Sequence, residues 1–261
     1  ARRGDVDRLM SNESPFAPSP RVLEAIIAAA MKANFYPQGA NDLRAKLGER
    51  ESFDADHVIL GAGSAELIDL VIRTFVAPGE EVLISVPTFS MYEARTRTTG
   101  GIPVLVPMIE GRVGDSVSSD VGQPGGPEFD VPGLIAAVTE RTKVVFLCTP
   151  NNPTGNKVQE AALRRLLRLG LPTVIDEAYY ELGETPESLA HLINEFPNAI
   201  VLRTFSKAFG LAGMRIGYAL AHPAAIRLLS RVKLPWNMWN GAPSGACCAL
   251  PRYLKMWSRP S

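Results

Sequence analysis

The chain has few of the residues that build cross-linked or metal-bound frameworks. Three of its 261 residues are cysteines, Cys148, Cys247 and Cys248. An odd set with two adjacent members is no disulfide scaffold, and it points to a reducing compartment. The three histidines, His57, His191 and His222, show no ligand spacing, so no metal site is expected. Neither sign of charge is in surplus, since Lys+Arg and Asp+Glu each number 27. Binders of nucleic acid or of anionic membranes normally carry a basic excess, so neither partner is expected and any anion site must be local. No apolar run reaches the roughly 18 residues of a membrane span, and the stretch from Arg2 to Asn12 lacks the apolar centre of a secretory signal. A soluble cytoplasmic protein is the expectation. No internal repeat is found.

What is present is the composition of a globular chain, 46% hydrophobic and 21% charged. A chain of this length buries roughly three quarters of its unfolded surface and needs no staple to fold. Short apolar runs rich in β-branched residues alternate with longer amphipathic stretches. Strands are expected at Val58–Leu60, Val82–Val86, Val104–Val106, Val144–Cys148, Thr173–Ile175, Ile200–Leu202 and Ile216–Leu220. Helices are expected from Pro20 behind a Ser19 cap, after the glycine turn at Gly61 to Ser64, and over Thr88–Thr98, Val131–Thr139, Glu160–Leu169 and Ala224–Val232. This alternation predicts an α/β fold of three layers, a mostly parallel sheet with helices on both faces. Residues 110–129 are glycine-rich and aperiodic, and read as a long surface loop or insertion. Residues 234–261 hold Trp236, Trp239 and Trp257 without strand alternation or a capped helix.

Four segments could carry chemistry. Gly61-Ala62-Gly63-Ser64-Ala65-Glu66 joins a strand to a helix, where backbone N–H groups favour an anion. An ordinary tight turn explains the same glycines, and Glu66 stands where a dinucleotide fingerprint needs a third one. Thr149-Pro150-Asn151-Asn152-Pro153 makes a rigid turn at a strand's C-terminal end, where open α/β sheets place ligands and Asn152 could donate its amide. Asp176 ends an apolar strand and is a helix cap, a metal ligand or a carboxylate held for a cationic partner. Lys207 follows another apolar strand between Phe205 and Phe209. Such a setting desolvates an amine and lowers its pKa, as a Schiff-base lysine requires, although most lysines are simply solvated. Arg215, eight residues on, suits a phosphate.

Together these segments resemble the pyridoxal-phosphate aminotransferases of fold type I, class I/II, and most closely the histidinol-phosphate aminotransferase branch. The resemblance covers about residues 9–234 and includes Asn12-Glu13-Ser14-Pro15-Phe16 and Tyr36-Pro37. It implies that Lys207 holds the cofactor as an internal aldimine and then shuttles a proton. It implies that Asp176 keeps the pyridine nitrogen protonated, that Asn152 and Tyr179 bind the 3′ oxygen, and that Phe89 stacks on the ring. The phosphate would take Ser64, Ala65, Glu66, Ser206 and Arg215, with Tyr36 reaching across a homodimer, and Asn12 would face the substrate. Ala65 stands where the family commonly has Asp, which leaves the backbone donor in place.

The resemblance divides the chain into an N-terminal segment and helix (1–35), a cofactor-binding large domain (36–233) and an atypical tail (234–261) in place of the family's small domain. The implied reaction is transamination between an amino donor, histidinol phosphate or similar, and 2-oxoglutarate. The same scaffold also suits a threonine-phosphate decarboxylase-like enzyme or an aromatic amino-acid aminotransferase. The unmatched tail admits a truncated, catalytically impaired relative that still binds cofactor.

Overall fold

The computed structural model describes residues 11–36, 39–110, 126–183 and 186–234. The expected tail, its tryptophans, Cys247 and Cys248, and most of the 110–129 loop lie outside the described residues.

Seven strands form one sheet: β1 (Val58–Gly61), β2 (Glu81–Val86), β3 (Ile102–Pro107), β6 (Thr142–Cys148), β7 (Thr173–Asp176), β8 (Ala199–Thr204) and β9 (Gly217–Ala221). Their spatial order is β1-β9-β8-β7-β6-β2-β3. The five strands from β8 to β3 run parallel, and β9 lies antiparallel to both of its neighbours. All seven expected strands are present, and the sheet is mostly parallel as the alternation predicts. A two-residue pair, β4 (Ile109–Glu110) with β5 (Pro127–Glu128), closes the base of the glycine-rich loop.

The central strands are buried on both faces because helices cover both. On one side α1 (Pro20–Ala30), α2 (Ala40–Glu51), α5 (Val131–Ala136) and α6 (Glu160–Leu167) supply Val22, Leu43, Leu47, Leu134, Leu163 and Leu166 to a core with Val145, Leu147, Ile175 and Val201. On the other, α3 (Gly63–Phe75), α4 (Met91–Thr98) and α7 (Pro223–Val232) place Leu67, Ile68, Tyr92 and Ile226 against Val144, Phe146, Val174 and Ile200. Neighbouring strand residues thus serve opposite cores, which is the period of two read through a doubly covered sheet.

Local chemistry sets the helix ends. Ser19 accepts the Val22 N–H at the start of α1, with Pro20 at its first position. Asp130 accepts the Gly133 N–H at the start of α5, and the His222 ring accepts the Ala224 N–H before Pro223 opens α7. By contrast, no side chain caps α3 at Ala62. α4 begins at Met91 rather than Thr88, because the Pro87–Ser90 turn precedes it. α2 has no counterpart among the expected helices, since Leu43 and Leu47 are the only large apolar residues in an otherwise charged stretch.

Candidate active site

The four segments converge at one end of the sheet. Cys148 and Asp176 are register partners at the ends of β6 and β7, and Asp176 is in turn opposite Leu202 of β8. Thr204, ending β8, pairs with Gly217, which pairs with Gly61 at the end of β1. Carboxyl ends of parallel strands are where open α/β sheets hold their ligands. A cavity of about 330 Å³ opens there, walled by Ser64, Ala65, Phe89, Asn152, Asp176, Tyr179, Ser206, Lys207 and Arg215. Nine of the expected site residues therefore share one wall.

The other three sit differently. Asn12 lies beside the cavity and donates its side-chain amide to the Tyr179 hydroxyl, 3.1 Å away. Glu66 turns its carboxylate back to accept the Ala62 N–H at 2.5 Å, so its side chain serves the helix start. Tyr36 is 73% exposed and is not part of the cavity wall.

At one end of the cavity, the uncapped first turn of α3 meets Arg215 and Ser206. Arg215 precedes β9 in a left-handed turn (φ 51°). Its Nη1 donates to the Ala212 carbonyl at 3.1 Å and reaches Ser206 Oγ at 3.5 Å, and its Nη2 donates to the Ala62 carbonyl at 3.2 Å. Close packing makes this possible. A Cβ on Gly63, which has φ +74°, would lie 2.6 Å from Arg215 Nη2, and one on Gly217 would lie 2.7–2.9 Å from backbone atoms of Gly63, Arg203 and Ser64. Uncapped helix N–H groups, a hydroxyl and a guanidinium form an anion cradle.

Lys207 enters from the loop after β8. Its Nζ donates to the Ser11 carbonyl at 2.8 Å and lies 5.5 Å from the Tyr179 ring centre. Burial pulls its pKa below the usual lysine range; Glu13 opposes this and Arg215 adds to it. Asp176 is 2% exposed and has no ion-pair partner among the described residues. Burial raises its pKa to about 6, against the hydrogen bonds from Tyr92 (2.8 Å) and the Ala178 N–H (3.1 Å). A buried acid without a cation fits a cationic ring nitrogen.

Asn151 and Asn152 divide their tasks. Asn151 is buried, donates to the Pro87 carbonyl and Thr154 Oγ1, and accepts from Thr88, which fixes the turn. Asn152 is left to the cavity. Beneath the site Arg203, 0% exposed, pairs with Glu177 at 2.8 Å, reaches Glu51 at 3.5 Å and lies over the Tyr180 ring. Among the wall residues given no role from sequence are Tyr92, Cys148 and Glu13. Tyr92 was legible only as one residue of the helix expected over Thr88–Thr98, and Cys148 as the last residue of a strand. Burial, with Asp176 adjacent, pushes the Cys148 thiol up to about 12, so it stays protonated. Away from the cavity wall, Asp54, Asp56 and His57 gather ligand atoms within 4.8 Å of one another at the surface. Sequence spacing alone did not suggest that grouping.

The family model for aminotransferase class I and II matches residues 5–255. The chain belongs to the class I and II aminotransferase family, whose cofactor is pyridoxal phosphate. It is similar to the histidinol-phosphate aminotransferase of Moorella thermoacetica, 38% identical over 94% of this chain and 61% of the relative, and to that of Erythrobacter litoralis, 39% identical over 92% and 62%. The chain thus spans about three fifths of the length of these curated relatives. Among solved structures, a putative histidinol-phosphate aminotransferase from Erwinia carotovora atroseptica superimposes with a TM-score of 0.80 at 28% identity, over 95% of this chain and 70% of the other. The Sinorhizobium meliloti histidinol-phosphate aminotransferase, solved in complex with pyridoxal-5′-phosphate, gives 0.78 at 30% identity, over 95% and 65%. No helix among the described residues is long and apolar enough to cross a membrane.

Proposed function

We propose that this chain is a pyridoxal-phosphate-dependent aminotransferase acting between an amino donor of the histidinol-phosphate kind and 2-oxoglutarate. The observation that carries the reading is one cavity lined at once by a partly desolvated lysine, a buried unpaired carboxylate and an anion cradle. When bound, the cofactor supplies an electrophilic aldehyde and an electron-withdrawing ring. Everything else is done by the chain. Ser64 and Ala65 at the head of α3, Ser206 and Arg215 hold the phosphate, with Glu66 contributing its backbone N–H. Asp176 binds the ring nitrogen and holds its proton. Phe89 covers the ring face, and Asn152 and Tyr179 bind the 3′ oxygen. Lys207, with its lowered pKa, would hold the cofactor through its amine and would take and return the substrate's Cα proton as general base and acid. Asn12, tied to Tyr179, would face the substrate.

A homodimer belongs to the same proposal. Leu23, Ile27, Met31, Phe35 and Tyr36 are large apolar residues left exposed along and after α1. Such a face suits a second copy, which would place Tyr36 at the neighbour's phosphate. The large-domain assignment of residues 36–233 and the 1–35 segment before it are part of this reading.

Assays of the purified chain with pyridoxal phosphate, histidinol phosphate and 2-oxoglutarate should release glutamate. Carbon dioxide release from a phosphorylated amino acid, without amino transfer, would contradict the reading.

A further inference from the structure

Tyr92 is the second residue of α4, 0% exposed, and yet it reaches the cavity wall. Its hydroxyl donates to Asp176 Oδ2 at 2.8 Å. Its ring is stacked on Phe146 with centroids 4.8 Å apart and 19° between planes. Phe89 meets it edge-on at 5.7 Å and 87°. The side chain is therefore gripped from two sides, and its one polar atom is aimed at the acid. Burial, with Asp176 and Cys148 nearby, raises its pKa well above the ordinary tyrosine value, so the hydroxyl remains a donor throughout the working pH range.

The acid it touches needs such a partner. Asp176 closes β7 with one oxygen bonded to the Ala178 N–H, and nothing but Tyr92 donates a side-chain hydrogen bond to the other among the described residues. A buried carboxylate with a single anchor can turn about its last torsion, which for an sp³–sp² bond is soft. With both oxygens engaged, it presents fixed remaining lone pairs. The neighbouring titratable groups, Cys148 of β6 and Tyr179 after β7, are both neutral at neutral pH, and neither supplies a charge that would orient it.

We infer that Tyr92 is a positioning residue: its hydroxyl fixes the Asp176 carboxylate toward the cofactor's ring nitrogen, and its ring links that acid to Phe89 over the ring face. The inference rests on the cofactor reading above. It assigns to α4 a part in the site, whereas the sequence motifs place the site's polar contacts on loops, strand ends and the head of α3.

The test uses the full chain and two probes, pyridoxal phosphate and its 1-deaza analogue, which has a C–H group in place of the ring nitrogen. Tyr92→Phe keeps the ring against Phe146, so circular dichroism should be unchanged. Equilibrium fluorescence titration should show pyridoxal phosphate binding weakened roughly tenfold or more, while binding of the deaza analogue is unchanged. In Asp176→Asn the further change Tyr92→Phe should cost nothing, because coupled residues are not additive. Equal losses for both probes, or additive losses in the double variant, would show that Tyr92 merely packs the core and would overturn the inference. Unweakened binding of pyridoxal phosphate by Tyr92→Phe would overturn it as well. Failure of the unaltered chain to bind pyridoxal phosphate is a different result, and overturns the cofactor reading itself.

Discussion

At Asp176 the demands of folding and of chemistry oppose one another. The carboxyl is buried with no cation paired to it among the described residues, and its pKa rises from 3.8 to about 6. A folded-state pKa above the unfolded one means that the native state binds the extra proton. The stabilisation is complete below pH 4 and is lost as pH rises through about 6. In the cofactor-free chain, charging this acid should cost on the order of 3 kcal/mol by pH 8. Asp176→Asn removes that cost. Urea unfolding without cofactor should show the variant more stable than the parent at pH 8 and little different at pH 4. The same variant should bind pyridoxal phosphate far more weakly. Sequence alone carried Asp176, Lys207 and Arg215, because an acid, an amine and a guanidinium at strand ends are unusual in those places. It did not carry Tyr92, whose function depends on a contact 84 residues away in sequence.

At the level of elements, the anion cradle depends on how closely β9 passes under the head of α3. Gly217 has no room for a Cβ, since backbone atoms of Gly63, Arg203 and Ser64 lie within 2.9 Å of where it would stand. Gly217→Ala must push strand and helix apart, at about 1–3 kcal/mol of stability, as overpacked cores do. Thermal unfolding should register that loss, and phosphate-group affinity should fall with it because the α3 N–H groups and Arg215 no longer converge. Arg203 anchors the neighbouring strand by a different means. Its removal as Arg203→Met leaves Glu177 buried without its cation, which typically costs about 3–5 kcal/mol. Strands and capped helices were legible because burial on both faces and the Ser19-Pro20 pair write themselves into the sequence. α2 was not, since Leu43 and Leu47 are its only large buried apolar side chains and most of its other residues are polar. The left-handed turn at Arg215 escaped for a similar reason: nothing local marks a non-glycine residue held at φ 51° by tertiary contacts.

At the scale of the molecule, one end of a seven-stranded sheet gathers motifs spread from Ser64 to Arg215, and this convergence makes one candidate site of separately ordinary turns. On the proposed reading, the exposed apolar face of α1 is the surface that a second copy would cover. Ile27→Glu should shift the chain toward monomer in sedimentation velocity, and Tyr36→Phe should leave the assembly intact while weakening cofactor binding several-fold. The central claim is narrower than assembly or substrate choice: Lys207 is the residue that bonds to the cofactor. The direct measurement is incubation of the chain with pyridoxal phosphate, reduction with borohydride, and peptide mapping by mass spectrometry. The account predicts a single stoichiometric pyridoxyl adduct on Lys207, absent in Lys207→Ala. An adduct scattered over other lysines, or none at all, would contradict it.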